Sequence, residues 1–130
     1  MNFEILEKEK YVLINSKVEK LDSQVAPDLK SELVILNGKG HKNIVINLKE
    51  SRYCDSSGLS AVLVANRLCN NLNGTFVLTG LQDSVAKLVS ISQLDSVLNI
   101  TPTVDEAVDL LFMEEIEREL DDEGDDDTDK

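Results

Sequence analysis

The sequence predicts an α/β protein with a mostly parallel mixed sheet of about five strands and about four helices. Residues 44–48 form a short run that is apolar at nearly every position, which is typical of a strand buried on both faces. Strand and helix patterns alternate along the chain in the order β-β-α-β-α-β-α-β-α, and this alternation is typical of parallel sheets. A chain of 130 residues is long enough for one such domain with its own core.

The first part of the chain predicts an antiparallel hairpin followed by a helix. Residues 3–7 and 11–16 show the alternation of two paired strands, so one edge of the sheet is expected to be antiparallel. Asp22 and Ser23 are candidate caps for a helix over residues 24–36, where apolar residues recur every three to four positions. This part therefore supplies one edge of the sheet and the first helix.

The second part of the chain continues the alternation of helices and strands. A helix is expected over residues 56–72, and it is expected to end there because Asn-Gly follows as a stop signal. Thr103 and Glu106 have the spacing of a capping box, so the final helix begins there and is expected to extend to residue 120. The elements expected between these two helices are a strand over 75–79, a helix over 83–92 and a strand over 97–100.

The formal net charge of -12 is concentrated at the C-terminus. Residues 114–130 carry eleven acids against two bases, whereas residues 1–113 carry fourteen acids against eleven bases. We therefore divide the chain into a folded domain, residues 1–120, and an acidic tail, residues 121–130, which is expected to be disordered because it has nothing apolar to bury. The nearly balanced body lacks the basic face that a nucleic acid requires, so no nucleic-acid partner is expected.

Composition also indicates the compartment. No apolar run approaches the roughly 18 residues of a membrane span, so direct membrane insertion is not expected. The N-terminus lacks the basic flank and the long apolar segment of a secretory signal. Cys54 and Cys69 show neither metal-ligand spacing nor a disulfide framework, and we expect both thiols to stay reduced in the cytoplasm.

The segment Asp55-Ser56-Ser57-Gly58 lies where the buried strand gives way to the helix over residues 56–72. Asp and Ser side chains accept hydrogen bonds from the free N–H groups of a first helical turn. The positive end of the helix dipole points at the same place, so an anion such as a phosphoryl group would be stabilised there. One serine is expected to point outward and the other to cap or pack, and the residues alone do not rank them.

Other catalytic or redox chemistry is not expected. His41 is the only histidine, and among Gly40 and Lys42 it is expected to be an exposed loop residue rather than a catalytic base. Cys54 is expected to pack in the core as a small apolar side chain rather than to act as a redox thiol. The chain lacks the elbow motif of a serine hydrolase, and neither a metal nor a cofactor is expected.

The segment Asp55-Ser56-Ser57-Gly58-Leu59 after a buried strand resembles the signature of the STAS domains, in particular of the bacterial anti-sigma-factor antagonists. The resemblance covers roughly residues 3 to 112. It includes Leu21-Asp22 after the second strand, residues 74–81 around the fourth strand, and residues 85–88 and 93–95 around the third helix. The chain departs from the family at Glu19-Lys20, where a glycine usually stands before Glu-Leu-Asp, so that turn is expected to differ in shape.

The resemblance implies a STAS-like single domain that is not an enzyme. Antagonists of this family bind, when unphosphorylated, an anti-sigma factor that is also a serine kinase, and this releases the sigma factor to direct transcription. The kinase switches its antagonist off by phosphorylating the first serine of the motif, and a metal-dependent serine phosphatase restores it. That serine corresponds to Ser56, with Ser57 the less favoured site. The implied partner-binding residues are Asp22, Ser23, Asp55, Ser56, Ser57, Gly58 and Leu59.

Two alternatives stay open. A STAS domain also serves as the accessory subunit of a membrane transporter for lipids or anions, and such a chain would co-purify with membrane subunits instead of a soluble kinase. The alternative from a different class is a small enzyme that uses Ser56 as its nucleophile. That enzyme would need a general base, for which the sequence offers no candidate beside the motif.

Overall fold

The computed structural model describes residues 2–128, with side chains described through Asp121. Seven strands and four α-helices occur within these residues, and a short 3-10 helix covers Leu94–Ser96. The strands are β1 (Phe3–Glu7), β2 (Val12–Ser16), β3 (Lys20–Leu21), β4 (Ile44–Asn47), β5 (Tyr53–Cys54), β6 (Phe76–Thr79) and β7 (Asn99–Thr101). The helices are α1 (Ala26–Gly38), α2 (Ser56–Asn71), α3 (Asp83–Ile91) and α4 (Val104–Thr128).

The main sheet has five strands within the described residues, in the order β1-β2-β4-β6-β7. β1 pairs with β2 in antiparallel register, and every other neighbouring pair in this sheet is parallel. β4 lies at the centre, and its residues Ile44, Val45 and Ile46 are buried, as expected for a strand covered on both faces. The predicted α/β class, the antiparallel edge and the central buried strand are therefore confirmed.

Helices cover the two faces of the sheet unequally. Side chains of α1, α2 and α3 pack with Ile44 and Ile46 in the larger apolar cluster. On the opposite face, Ala107 and Leu111 of α4 pack against Val45 and its neighbours in a smaller cluster. Alternate residues of one strand thus enter two separate clusters, because successive side chains of a strand point to opposite faces.

The start of α1 differs from its prediction. The helix begins at Ala26 rather than at residue 24, because Pro27 fits only the first turn. The cap position is Val25, which makes no side-chain hydrogen bond. Asp22 and Ser23 were predicted as caps, and neither of them caps the helix. Asp22 instead closes a turn before the helix, where its Oδ1 accepts a hydrogen bond from the Gln24 N–H at 3.0 Å.

A second, two-stranded sheet was not predicted. β3 and β5 pair in parallel, with Lys20 opposite Tyr53 and Leu21 opposite Cys54. Two residues are too few to show an alternating pattern, so this pairing has no signal in the sequence. Glu19, at the departure from the family pattern, takes part through its carbonyl, which accepts hydrogen bonds from the N–H groups of Arg52 and Tyr53.

α4 is longer than predicted. Its backbone continues to Thr128, whereas a disordered tail was predicted from Asp121, so over residues 121–128 that prediction differs from the structure. A helix that already packs on the sheet can extend at little cost, because each added residue forms one further backbone hydrogen bond. Residues 129–130 of the predicted tail lie outside the described residues. Along residues 2–128, no helix has both the length and the apolar character needed to cross a membrane.

Candidate functional site

The Asp55–Ser57 segment lies at the carboxyl ends of β3 and β5, directly before α2. The Asp55 N–H donates to the carbonyl of Leu21 at 3.3 Å, which joins the ends of the two short strands. Asp22 and Ser23 follow Leu21, so the small sheet brings them to the same edge as Asp55 and Ser56. The fold thus brings together these four residues of the implied partner-binding set.

Asp55 is the cap of α2. Its backbone is extended, with φ -109° and ψ -173°, and its Oδ1 accepts a hydrogen bond from the Gly58 N–H at 3.0 Å. A carboxylate in this position satisfies one free donor of the first turn and also interacts favourably with the helix dipole. The cap is therefore the aspartate, and both serines are left in the first turn of the helix.

The two serines differ in exposure. Ser56 is exposed at the first position of α2, whereas Ser57 is half-buried. The expectation that one serine points outward and the other packs is therefore met, and the outward one is Ser56. Of the two serines of the motif, Ser56 is therefore the one whose hydroxyl a second protein can reach more easily.

Gly58 holds α2 close to β3. A Cβ atom at this position would lie 2.2 Å from the Leu21 carbonyl oxygen and 2.8 Å from the Cys54 Sγ. Real Cβ atoms do not approach a backbone oxygen so closely, so only glycine allows this contact. Gly58 keeps the cap and the small sheet together.

The predicted partner-binding residues therefore divide into two groups. Asp55, Ser56 and Ser23 are exposed, and Asp22 and Ser57 are half-buried. Gly58 and Leu59 are buried, so they support the segment from below instead of offering contacts, which differs from the prediction. One face of α2 packs on the core from its first turn onward, and Leu59 lies on that face.

The two cysteines are buried, as expected of Cys54. Burial, followed by the negative charge of Asp55, raises the pKa of the Cys54 thiol to about 11. Burial raises the pKa of the Cys69 thiol to about 12. Both thiols are consequently protonated at neutral pH, which is the unreactive form.

His41 lies at the opposite end of the sheet from Ser56. It lies in a loop, as predicted, but its side chain is partly buried rather than exposed, and its Nε2 lies 2.7 Å from Oε1 of Glu7 at the end of β1. The hydrogen bond to His41, together with Lys39, lowers the pKa of Glu7. Among the residues that the structure describes, no group of three or more His, Cys, Asp or Glu side chains is placed to hold a metal ion.

An apolar groove beside the segment was missed by the sequence analysis. It has a volume of about 240 Å³ and lies between β5 and α3. Tyr53 and Ile91 on its rim are 65% and 72% exposed, and the groove brings these two apolar side chains together at the surface. The Ser84 hydroxyl at the start of α3 donates to the Arg52 carbonyl and fixes the helix against this edge. Tyr53 lies two residues before the motif segment, but only the fold shows that Ile91 is next to it.

Comparison with known proteins agrees with this architecture. The family model described as STAS domain matches residues 4–107. RsbS of Moorella thermoacetica, in a serine-to-glutamate variant, is 26% identical, with a TM-score of 0.72 over 85% of this chain and 95% of that one.

The structure of the anti-sigma factor antagonist SpoIIAA in its unphosphorylated form gives a TM-score of 0.65 at 20% identity, over 82% of this chain and 94% of that one. The structure of SpoIIAA of Bacillus in the phosphorylated form gives a TM-score of 0.66 at 22% identity, over 82% of this chain and 96% of that one. Because the family model spans most of the chain and includes the whole Asp55–Leu59 segment, the protein belongs to the STAS domain family.

Proposed function

We propose that this protein is an anti-sigma-factor antagonist of the bacterial cytoplasm, a binding protein rather than an enzyme. In its unphosphorylated form it binds an anti-sigma factor that is also a serine kinase, and phosphorylation of Ser56 ends that binding. A serine phosphatase then restores the binding form. The observation that supports this most directly is the exposed Ser56 hydroxyl at the first position of α2, next to the capping Asp55.

The position of Ser56 favours a phosphate that leaves the fold intact. A phosphoryl group adds a charge of about -1.5 to -2, and the positive end of α2 offsets part of it. The Asp55 carboxylate already occupies the Gly58 N–H, so the phosphate would not need to displace that cap. Both forms of SpoIIAA match this chain with nearly equal TM-scores, which supports a modification without refolding.

The same charge would prevent docking. It would stand beside the exposed Asp55 carboxylate, and a partner surface that covers Ser56 would have to remove water from both groups. The groove of Tyr53 and Ile91 beside the segment gives the partner an apolar anchor of the kind that dominates binding energy at interfaces. The switch is thus an electrostatic and steric block at the rim of an apolar contact.

The surroundings of Ser56 support a role in binding over one in catalysis. A serine nucleophile needs a base within hydrogen-bond distance. His41 is engaged with Glu7 at the other end of the sheet, and the nearest thiol, Cys54, is protonated at neutral pH. These surroundings support Ser56 as an acceptor of a phosphoryl group from another protein over Ser56 as a nucleophile.

The decisive experiment incubates the purified protein with ATP and candidate anti-sigma serine kinases, and maps the modification by mass spectrometry. We expect phosphate on Ser56. The Ser56→Ala variant should remain unmodified and bind the kinase constitutively, whereas the matched Ser57→Ala variant should be phosphorylated as the unsubstituted protein is. Phosphate that persists in Ser56→Ala would move the site to Ser57.

A second variant separates folding from binding. Ser56→Asp should keep the circular dichroism spectrum and the melting temperature, because it adds a charge at an exposed helix start. It should bind the kinase at least about tenfold more weakly in calorimetry, a loss of about 1.4 kcal/mol. Affinity equal to that of the unsubstituted protein would contradict the switch, and transporter subunits in place of a kinase in co-purification would contradict the partner.

A further inference from the structure

α4 carries an apolar stripe on the side that faces away from the sheet. Met113, Ile116 and Leu120 are 57%, 51% and 60% exposed, and Phe112 is 37% exposed. Spacings of three and four residues put these four side chains on one face of the helix. The stripe begins beyond residue 107, where the match to the STAS model ends, so it is not part of the shared family domain.

The opposite face of α4 is held firmly. Ala107 and Leu111 are fully buried against the sheet. Farther along, Arg118 donates to the Thr75 hydroxyl at 2.8 Å and to the Glu115 carboxylate at 2.7 Å. The helix is therefore already formed and attached before any partner arrives, so little ordering would be required on binding.

Phe112 is fixed by its own contact. Its ring meets Tyr11 edge to face, with the ring centroids 6.1 Å apart and the planes at 74°. This geometry is favourable for an aromatic pair and holds the near end of the stripe in place. The remaining three apolar side chains have no such cover among the described residues, as their exposure shows.

Acidic residues surround the stripe. Asp109, Glu117 and Glu119 are exposed on the same helix. Residues 104–130 carry fourteen acids against two bases, whereas residues 1–103 carry eleven of each, so the whole net charge belongs to this segment. A second copy of the chain would bring the same acids against these and would be repelled, as would an anionic membrane surface.

From this combination we infer that the stripe of Phe112, Met113, Ile116 and Leu120 is a docking surface for a basic amphipathic helix of another protein. The apolar face of that helix covers the stripe, and its Lys or Arg residues meet the flanking acids. Recognition of an amphipathic helix through apolar contacts spaced by three and four residues is a common mode of binding. The site is separate from Ser56 and does not depend on its phosphorylation.

The test uses two labelled synthetic helical peptides with identical leucine positions, one with lysine and the other with glutamate at the remaining positions. Fluorescence anisotropy with the full chain should show binding of the lysine peptide only. The triple variant Met113→Gln, Ile116→Gln, Leu120→Gln keeps every charge and should weaken binding at least about tenfold. The control Val34→Gln, Ile35→Gln removes equally exposed apolar side chains from α1 and should leave binding unchanged.

Three results would overturn the inference. Undiminished binding by the triple variant would show that the acidic charge alone attracts the peptide. Equal binding of both peptides would show that charge does not select the partner. A dimer in sedimentation that the triple variant abolishes would show that a second copy covers the stripe. If the triple variant loses helical signal in circular dichroism, the single Ile116→Gln variant replaces it, and a loss of affinity is still expected.

Discussion

Gly58 shows how a single residue positions the Ser56 hydroxyl. It brings the first turn of α2 against the Leu21 carbonyl, and its N–H donates to the Asp55 carboxylate that caps the helix. The absence of a side chain therefore serves the packing of two backbones rather than an unusual dihedral angle. A substitution of Gly58 should therefore disturb both the Asp55 cap and the pairing of β3 with β5, although Ser56 and Ser57 themselves are unchanged.

We expect Gly58→Ala to lower the free energy of unfolding by about 1–3 kcal/mol, because the new Cβ would collide with a backbone oxygen that cannot swing aside. Chemical denaturation measures this change. The matched control is Gly38→Ala at the end of α1, where a Cβ would meet nothing within 4 Å and helix propensity favours alanine. Equal effects of the two substitutions would show that the close contact at Gly58 is not limiting.

At the scale of one element, the attachment of α4 depends on polar contacts as well as on its apolar face. The Thr75 hydroxyl is buried just before β6 and donates to Glu114 at 2.9 Å. Glu115 accepts from Arg118 at 2.7 Å and from Asn43 at 3.3 Å, and it pairs with Lys42 at 3.2 Å. These contacts hold the second half of the helix, beyond Leu111, on the amino ends of the parallel strands.

The charge of Glu115 makes this attachment sensitive to acid. Burial by itself would raise the pKa of Glu115, but hydrogen bonds from Arg118, Asn43 and Lys42 outweigh it, and the pKa lies below its usual value of 4.5. A carboxyl with a lowered pKa in the folded state stabilises the fold above its unfolded pKa, and this stabilisation is lost as pH falls through the folded value. The attachment should therefore weaken below about pH 4.5.

We expect the Glu115→Gln variant to be less stable than the unsubstituted protein at pH 7 and to lose less stability on acidification. Urea denaturation at a series of pH values from neutral to about pH 3 measures both effects. The matched control, Glu117→Gln, changes an exposed carboxylate on the same helix and should follow the pH profile of the unsubstituted protein. Parallel profiles for both variants would contradict the role of Glu115.

At the scale of the whole molecule, the protein consists of an electrically balanced body and one strongly acidic helix. Residues 1–103 have no net formal charge, and residues 104–130 carry all of the -12. The edge with Ser56 lies at the carboxyl ends of β3 and β5, whereas Arg118 and Glu115 fasten α4 at the amino end of β6 and before β4. The proposed switch and the proposed docking stripe are thus on separate parts of the surface.

Repulsion among the acids of α4 should make stability depend on salt. We expect the melting temperature to rise by roughly 2–5 °C between low salt and about 0.5 M NaCl, because salt screens like charges spaced along one helix. A chain that ends at Asp121 lacks five of these acids and should show a smaller rise. A melting temperature that falls with salt would indicate that ion pairs such as Lys42–Glu115 outweigh the repulsion.

The sequence by itself determined the order of the elements, the antiparallel edge and the place of the serine pair at a strand end. These depend on local patterns, namely apolar spacing, turn residues and caps, which neighbouring residues largely decide. The sequence also placed Cys54 in the core and predicted that only one of the two serines faces outward.

Only the tertiary structure decided that this serine is Ser56, that Asp55 is the cap, and that Leu59 lies beneath the site. It also decided that β3 pairs with β5, that Ile91 joins Tyr53, and that the outer face of α4 stays uncovered. Apart from the Asp55 cap, which is a local hydrogen bond to Gly58, these features depend on contacts between residues far apart in the chain, and such contacts leave no periodic signal in either partner. That is the physical reason why the edge that carries Ser56 could be located from the sequence, but its surface could not be described.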